Sequence, residues 1–144
     1  MASQSFAKHR QTVPMFHFFL LPILALTLIG SVVNLVKSWG NHQRFYSASL
    51  IVVLAFATLL LSFICRMFAL KAQDRAIRAE ENLRHFALAG KLLDPRITIW
   101  QVIALRFAPD GEFLALAKKA AEEGTAPDDI KKSIQVWRAD TYRV

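Results

Sequence analysis

Histidine and cysteine offer the most obvious ligand or nucleophile chemistry in this chain, which has four histidines and one cysteine. His17 lies within an apolar stretch, where an imidazole could ligate haem iron or another metal. A haem usually takes a second axial ligand at matching depth, and the second apolar segment holds no histidine. His17 and Cys65 together would still leave a zinc site short of its four ligands. We therefore expect His17 to make interfacial hydrogen bonds. The chain is predicted to bind neither a cofactor nor a metal, and His17 is the one residue that could serve as a cofactor ligand.

The single cysteine, Cys65, excludes an internal disulfide. We expect it to be a buried, inert thiol, with palmitoylation at a membrane boundary as the alternative. No nucleophile elbow, phosphate loop, metalloprotease motif or Cys-x-x-Cys motif is present. The sequence therefore predicts that the chain is not an enzyme.

Two uncharged apolar segments, residues 15–36 and 46–65, dominate the first half of the chain, and no Asp or Glu precedes Asp74. Each is close to the ~20 residues that a helix needs to cross ~30 Å of hydrocarbon. The first is also longer than the apolar core of a signal peptide. Joined by residues 37–45, the segments predict a two-helix transmembrane hairpin, and the chain as a whole is predicted to be an all-α membrane protein.

Basic residues give the predicted orientation of this hairpin in the bilayer. Five basic residues lie between the end of the second segment and residue 84, and further basic residues precede the first segment. The loop region between the segments holds two. Because basic residues are enriched on the cytoplasmic side, we expect both termini in the cytoplasm and the protein in the bacterial inner (plasma) membrane as a multi-pass protein. The side chains predicted to lie at the membrane interface are Trp39, Arg44, Tyr46 and Arg66.

Residues 66–89 contain neither proline nor glycine and are rich in helix formers. The second helix is therefore predicted to continue into the cytoplasm as a juxtamembrane amphipathic helix that ends near Gly90. An apolar stripe runs along it at coiled-coil spacing: Ala72, Ala76, Ala79, Leu83 and Phe86. We expect this stripe to pack against the C-terminal module, with a partner helix or a homodimer as the alternative. Ion pairs four residues apart are also predicted, Asp74 with Arg78 and Glu80 with Arg84.

The remaining residues, 90–144, are predicted to form a small cytoplasmic bundle of about three short helices, and residues 1–14 a cytoplasmic tail. Thr98 and Gln101 have the spacing of a capping box, which favours a first helix there over a strand across residues 97–103. The second helix is predicted to begin at the acidic turn after Pro109 and to end at Gly124. About 50 residues form a marginal core alone, so we expect the bundle to lean on the 66–89 helix or on a partner.

The third helix of the bundle is predicted to begin at a second capping box formed by Thr125 and Asp128. Ile130, Ile134 and Trp137 are then spaced to lie on one face of that helix.

Aromatic and arginine side chains crowd the last eight residues, and such residues are typical of interfaces. The predicted partner-binding residues are these together with the two large members of the stripe: Trp137, Arg138, Tyr142, Arg143, Leu83 and Phe86. The net charge of +7 does not indicate nucleic acid, because nine basic residues in 91–144 are interleaved with eight acids.

Four stretches carry a resemblance to an uncharacterised bacterial family of two-transmembrane-helix proteins, one classed as a domain of unknown function. They are TVPMFHF (12–18), FALKAQDRAIRAEENLR (68–84), IALRFAPDGE (103–112) and IKKSIQVWRADTYRV (130–144). The resemblance implies that both halves of the chain form one unit, and it implies no activity, substrate or cofactor.

The absence of recognisable chemistry, the small size and the arginine- and tryptophan-rich tail favour a non-catalytic accessory, assembly or scaffolding subunit of a larger bacterial membrane protein complex. Its expected partners are the lipid bilayer and other membrane-protein subunits, or further copies of itself as a homo-oligomer. The alternative is a membrane-anchored signalling or regulatory adaptor that presents its cytoplasmic bundle to a soluble partner.

Overall fold

The computed structural model describes Phe6 and residues 12–140, and within them every regular element is helical. A π-helical stretch, Met15–Leu20, leads into α1, which spans Leu21–Lys37; the other helices are α2 (His42–Ala89), α3 (Ile99–Leu105), α4 (Asp110–Glu123) and α5 (Pro127–Ser133). The predicted all-helical fold is confirmed for the described residues. The chain divides into two units, one of residues 12–69 and one of residues 70–140 with Phe6.

The π-helical stretch ends two residues before Pro22. Proline has no N–H to donate, and its ring collides with the carbonyl group four residues earlier, here that of Phe18. The helix widens at this point, and the Leu21 N–H donates to the carbonyl oxygen of Phe16, five residues back. The chain thereby keeps one continuous helical path through the proline.

The helices Met15–Lys37 and His42–Ala89 are both long and apolar enough to cross a membrane. Large apolar side chains are exposed along both helices, whereas the small residues Ser31, Ala48 and Ala55 are buried within the unit of residues 12–69. Small side chains allow two helix backbones to approach closely. The ring centroids of Phe16 and Phe63 are 6.4 Å apart, so the start of the first helix meets the middle of α2 and the pair runs antiparallel.

The connection between α1 and α2 is residues 38–41, shorter than the predicted 37–45. The Asn41 side chain accepts a hydrogen bond from the Arg44 backbone N–H at 3.1 Å and so caps α2 at its N-terminus. Gly40 has a φ of 88°, which glycine adopts without steric cost. The predicted loop is longer than the observed one because the apolar residues stop before the helix does, and these polar contacts extend α2 beyond them.

Helix α2 continues without interruption to Ala89, as predicted for a stretch without proline or glycine. It ends at Gly90, whose φ is 69° and whose N–H donates to the carbonyl oxygen of Phe86 at 2.8 Å. This is the left-handed glycine termination expected from the sequence.

The unit of residues 70–140 has one apolar core, to which α2 contributes Ile77. Its buried members are Ile77, Leu93, Ile97, Val102, Ala104, Leu105, Phe107, Ala108, Phe113, Ala117, Ala120, Ile130 and Ile134. The predicted capping box is formed by Thr98 and Gln101, and α3 is a helix rather than a strand. Helix α4 ends at Gly124 in the left-handed conformation, also as predicted.

Helix α5 differs from its prediction at both ends. Its N-cap is Ala126, without a side-chain cap, so the capping box of Thr125 and Asp128 is not formed. The helix stops at Ser133, and Ile134 has extended backbone angles, so Trp137 does not share a helical face with Ile130. Helix α5 stops there because the Glu112 carboxylate on α4 accepts hydrogen bonds from the backbone N–H groups of residues 135 and 136, at 2.9 and 3.1 Å. These bonds replace the helical ones that would have extended α5.

Candidate interaction surface on α2

The side of α2 that faces the C-terminal module (residues 90–144) is largely polar. Its buried residues are Ile77, Glu81 and His85, spaced four apart along one face. Glu81 as a residue is 5% exposed, so its carboxylate needs partners, because an uncompensated buried charge is strongly destabilising. We call the side formed by Ile77, Arg78, Glu81, Arg84 and His85 the polar face.

Arg84 is the centre of the contact between the polar face and the module. Its guanidinium lies 3.0 Å from a Glu81 oxygen and 2.6 Å from an Asp110 oxygen, and it donates to the carbonyl oxygen of Ala108 at 2.8 Å. The same group stacks on the Phe113 ring, 4.3 Å from its centroid. The planar guanidinium can satisfy all these groups together because its donors form a rigid fork.

Further polar contacts hold the polar face along its length. Nδ1 of His85 lies 2.7 Å from the carbonyl oxygen of Lys91, and Arg78 donates to the carbonyl oxygen of Ile97 at 3.4 Å. Arg138 reaches Glu81 from the end of the described chain at 3.7 Å. The predicted partner of Arg84 was Glu80, and this was wrong, because Glu81 and Asp110 pair with it instead.

The apolar stripe (Ala72, Ala76, Ala79, Leu83 and Phe86) lies on the side of α2 away from the module. All five residues are exposed, and Leu83 and Phe86 are exposed to 68% and 53%. The expectation that the stripe packs against the C-terminal module is therefore wrong. The module is held by polar groups and one isoleucine, a combination that periodicity does not reveal. The apolar side of the helix is left uncovered in the described chain.

The predicted partner-binding residues of the tail do not share one environment in the structure. Trp137 is half-buried, with its ring centroid 5.0 Å from that of Phe107, so it belongs to the packing of the module itself. Arg138 is exposed but contacts Glu81. Tyr142 and Arg143 lie outside the described residues.

Exposed apolar side chains on the module were missed by the sequence reasoning. They are Leu92, Trp100 and Val136. Trp100 lies on α3, and its exposure is visible only once the neighbours in the core are known.

The four residues predicted to lie at the membrane interface all belong to the unit of residues 12–69, and Arg66 alone among them is half-buried. Trp39, Arg44 and Tyr46 are exposed, and the Trp39 ring packs edge-on against Phe45. Arg66 lies with its guanidinium 4.8 Å above the centroid of the Phe16 ring.

The potential ligands do not assemble into a metal centre in the part of the chain that the structure describes. No group of three or more His, Cys, Asp or Glu side chains is placed to hold a metal ion there. Nδ1 of His17 lies 2.9 Å from the carbonyl oxygen of Val13, as expected for a hydrogen-bonding role. Cys65 is exposed rather than buried, because it lies on a side of α2 that no other described helix covers.

Comparison with known proteins adds a family assignment to this geometry. No curated protein and no solved structure matches the chain. A family model described as "Family of unknown function (DUF6526)" matches residues 1–144. Since the match covers the whole sequence, the chain belongs to that family.

Proposed function

We propose that this protein is a non-catalytic accessory or scaffolding subunit of a larger bacterial membrane protein complex. Its two apolar helices hold it in the bilayer, and the apolar stripe of α2 binds another helix of the complex.

The observation that carries the proposal is the distribution of polar and apolar groups around α2. The polar face is occupied by the C-terminal module through Glu81, Arg84 and His85, whereas the stripe with Leu83 and Phe86 is open. Burying a leucine or phenylalanine stabilises a contact by ~1.5–3 kcal/mol relative to exposure. An apolar surface arranged at helical spacing is suited to a partner helix, which would bury these side chains in regular succession.

The proposed membrane arrangement has both helices crossing the bilayer and both chain ends in the cytoplasm. The basic residues near Arg66, outnumbering those around the α1–α2 connection, support this orientation. In a Cys65→Ala background, a cysteine at Gln43 should react with a membrane-impermeant maleimide in intact cells. A cysteine at Lys71 should react only after permeabilisation, and the reverse pattern would invert the proposed topology.

The subunit proposal is tested by extracting the tagged full-length protein from native membranes in mild detergent and measuring its native mass. An assembly larger than one chain is expected. The double variant Leu83→Glu/Phe86→Glu should reduce that mass, because it places two charges on the stripe. The matched control Leu92→Glu, at an exposed apolar residue off the stripe, should leave the assembly intact. A monomeric wild-type protein without any co-purifying chain would contradict the proposal.

A second candidate function, the membrane-anchored adaptor, is favoured by one observation on the module. Trp100 is exposed on α3, and exposed tryptophans are frequent interface anchors. In this case Trp100→Ala should abolish capture of a soluble protein while leaving the detergent-extracted membrane assembly unchanged. Loss of the membrane assembly in Leu83→Glu/Phe86→Glu with soluble capture retained would instead favour the subunit.

A further inference from the structure

From the geometry of the unit of residues 70–140 we infer that the helix that covers the apolar stripe is α2 of a second copy of this chain, running parallel to the first. This deepens the subunit proposal by naming the partner of the stripe. Three features of the described residues carry it: the register of the stripe, the position of the module, and the charges beside the stripe.

The register of the stripe is that of a two-stranded coiled coil. Ala76 and Leu83 occupy the positions conventionally written a, and Ala72, Ala79 and Phe86 the positions written d. Such a seam packs best against a helix with the same repeat, because each knob then meets a hole of matching spacing. A second copy of α2 has this repeat by identity. The three alanines allow the two backbones to approach closely, and Leu83 and Phe86 supply the larger apolar area.

The module occupies the side of α2 that a coiled coil leaves free. The buried residues of the polar face, Ile77, Glu81 and His85, fall at positions b, f and c of the same heptads. These positions point away from the partner in a two-stranded coiled coil. A second α2 can therefore pack on the stripe while each copy keeps its own module in place.

The charges that flank the stripe favour a parallel pair of identical helices. Arg75 is at position g and Glu80 at position e of the following heptad, on opposite sides of the seam, and both are exposed. In a parallel dimer, g of one helix faces the following e of its partner, so Arg75 of each copy meets Glu80 of the other. The two-fold symmetry forms this opposite-charge contact twice.

The stripe covers little more than two heptads, which is short for a coiled coil in free solution. Here the inference rests on the proposed anchoring, because confinement to one membrane raises the effective concentration of two copies and orients their α2 helices in the same direction. The dimer is therefore expected in membranes, in lipid nanodiscs and in mild detergent extracts, and it should dissociate only on strong dilution in detergent.

Cysteine cross-linking in native membranes gives the first test, with adjacent residues as a matched pair. In a Cys65→Ala background, Ala72→Cys lies at d on the seam, and Lys71→Cys lies at c, away from it. A disulfide requires Cα atoms roughly 4.4–6.8 Å apart, which two d residues of a close parallel dimer can reach and two c residues cannot. We expect covalent dimers of this chain from Ala72→Cys and at least tenfold fewer from Lys71→Cys.

Exchange of the flanking charges gives the second test, by measuring dimer dissociation in nanodiscs or lipid vesicles. Arg75→Glu and Glu80→Arg should each weaken the dimer roughly threefold to tenfold, because each places like charges at both symmetric contacts. The double variant Arg75→Glu/Glu80→Arg should restore it. Such rescue is specific to a parallel pair of identical helices, since the two residues lie on opposite flanks of the stripe within one copy.

Three outcomes would overturn the homodimer. Equal cross-linking at Ala72→Cys and Lys71→Cys would indicate random collision. A cross-link from Ala72→Cys to a different protein would show that the stripe binds another subunit, so the homodimer would fail while the subunit proposal stood. A protein found outside the membrane fraction would refute the anchoring on which both rest.

Discussion

Replacement of Arg84 by methionine tests how the module is held to α2. The substitution keeps the aliphatic stem on Phe113 but removes the guanidinium from Glu81, Asp110 and the carbonyl group of Ala108. Glu81, with a side chain only 6% exposed, would then keep the contact with Arg138 at 3.7 Å.

The expected loss of stability in Arg84→Met comes mainly from Glu81. Removing one partner of a buried ion pair costs about 3–5 kcal/mol. The remaining Arg138 contact places the expected loss near the lower end, at about 3 kcal/mol. The Asp110 contact adds ~1 kcal/mol or less, because that carboxylate is 68% exposed and screened by water.

Hydrogen exchange of the buried α4 amides in the full-length protein is the suitable assay, because it reports opening of the module separately from the apolar helices. A loss of about 3 kcal/mol corresponds to roughly hundredfold faster exchange. Lys119→Met, at an exposed residue of the module, is the control and should change the opening free energy by less than ~0.5 kcal/mol.

The double variant Arg84→Met/Glu81→Leu should recover most of the lost stability, since it removes the buried carboxylate together with its partner. A loss in Arg84→Met no larger than that of Lys119→Met would refute the reasoning. So would a double variant that is less stable than Arg84→Met.

Three further variants test the core, a turn and a helix end. Phe113→Ala should lower the free energy of unfolding of the module by about 3–5 kcal/mol in denaturant melts, because Phe113 is fully buried. Arg96 holds the pKa of Asp94 at about 2 through side-chain and backbone hydrogen bonds. In Arg96→Gln that pKa should rise toward 3.8 in an NMR titration. Because the folded-state pKa is depressed, the stabilisation from Asp94 is present above about pH 4 and lost as the pH falls toward 2, and the variant, which keeps only the backbone hydrogen bond, should show less of this acid dependence. Gly124→Ala should destabilise the module by about 1 kcal/mol in the same melts, because the φ of 64° is strained for a side chain with a Cβ.

Local signals in the sequence were sufficient to predict the start of α3 and the ends of α2 and α4. Thr98 and Gln101 form their reciprocal cap, and Gly90 and Gly124 end their helices. These outcomes depend on residues within one turn of each other, so they can be deduced without the fold.

The contacts that hold the module to α2 could not be predicted from the periodicity of the sequence. Apolar periodicity correctly identified the stripe, but the rule that apolar faces are buried within the chain assigned it the wrong neighbour. Arg84 binds Asp110, 26 positions away, and Glu112 ends α5 by bonding residues 135 and 136. Neither contact produces a periodic pattern in the sequence, because each depends on the placement of helices far apart in the sequence.

The polar face also has a consequence for synthesis of the chain. Asp110 follows Arg84 by 26 positions. At ~5–20 residues per second, Arg84 is made roughly one to five seconds before Asp110 exists. Until the module has been made and has folded onto α2, most of the side of α2 that will later be buried is polar and well hydrated, so it gives chaperones and neighbouring chains little apolar surface to bind. The surface destined for the interior is thus a soluble one while the protein is being made.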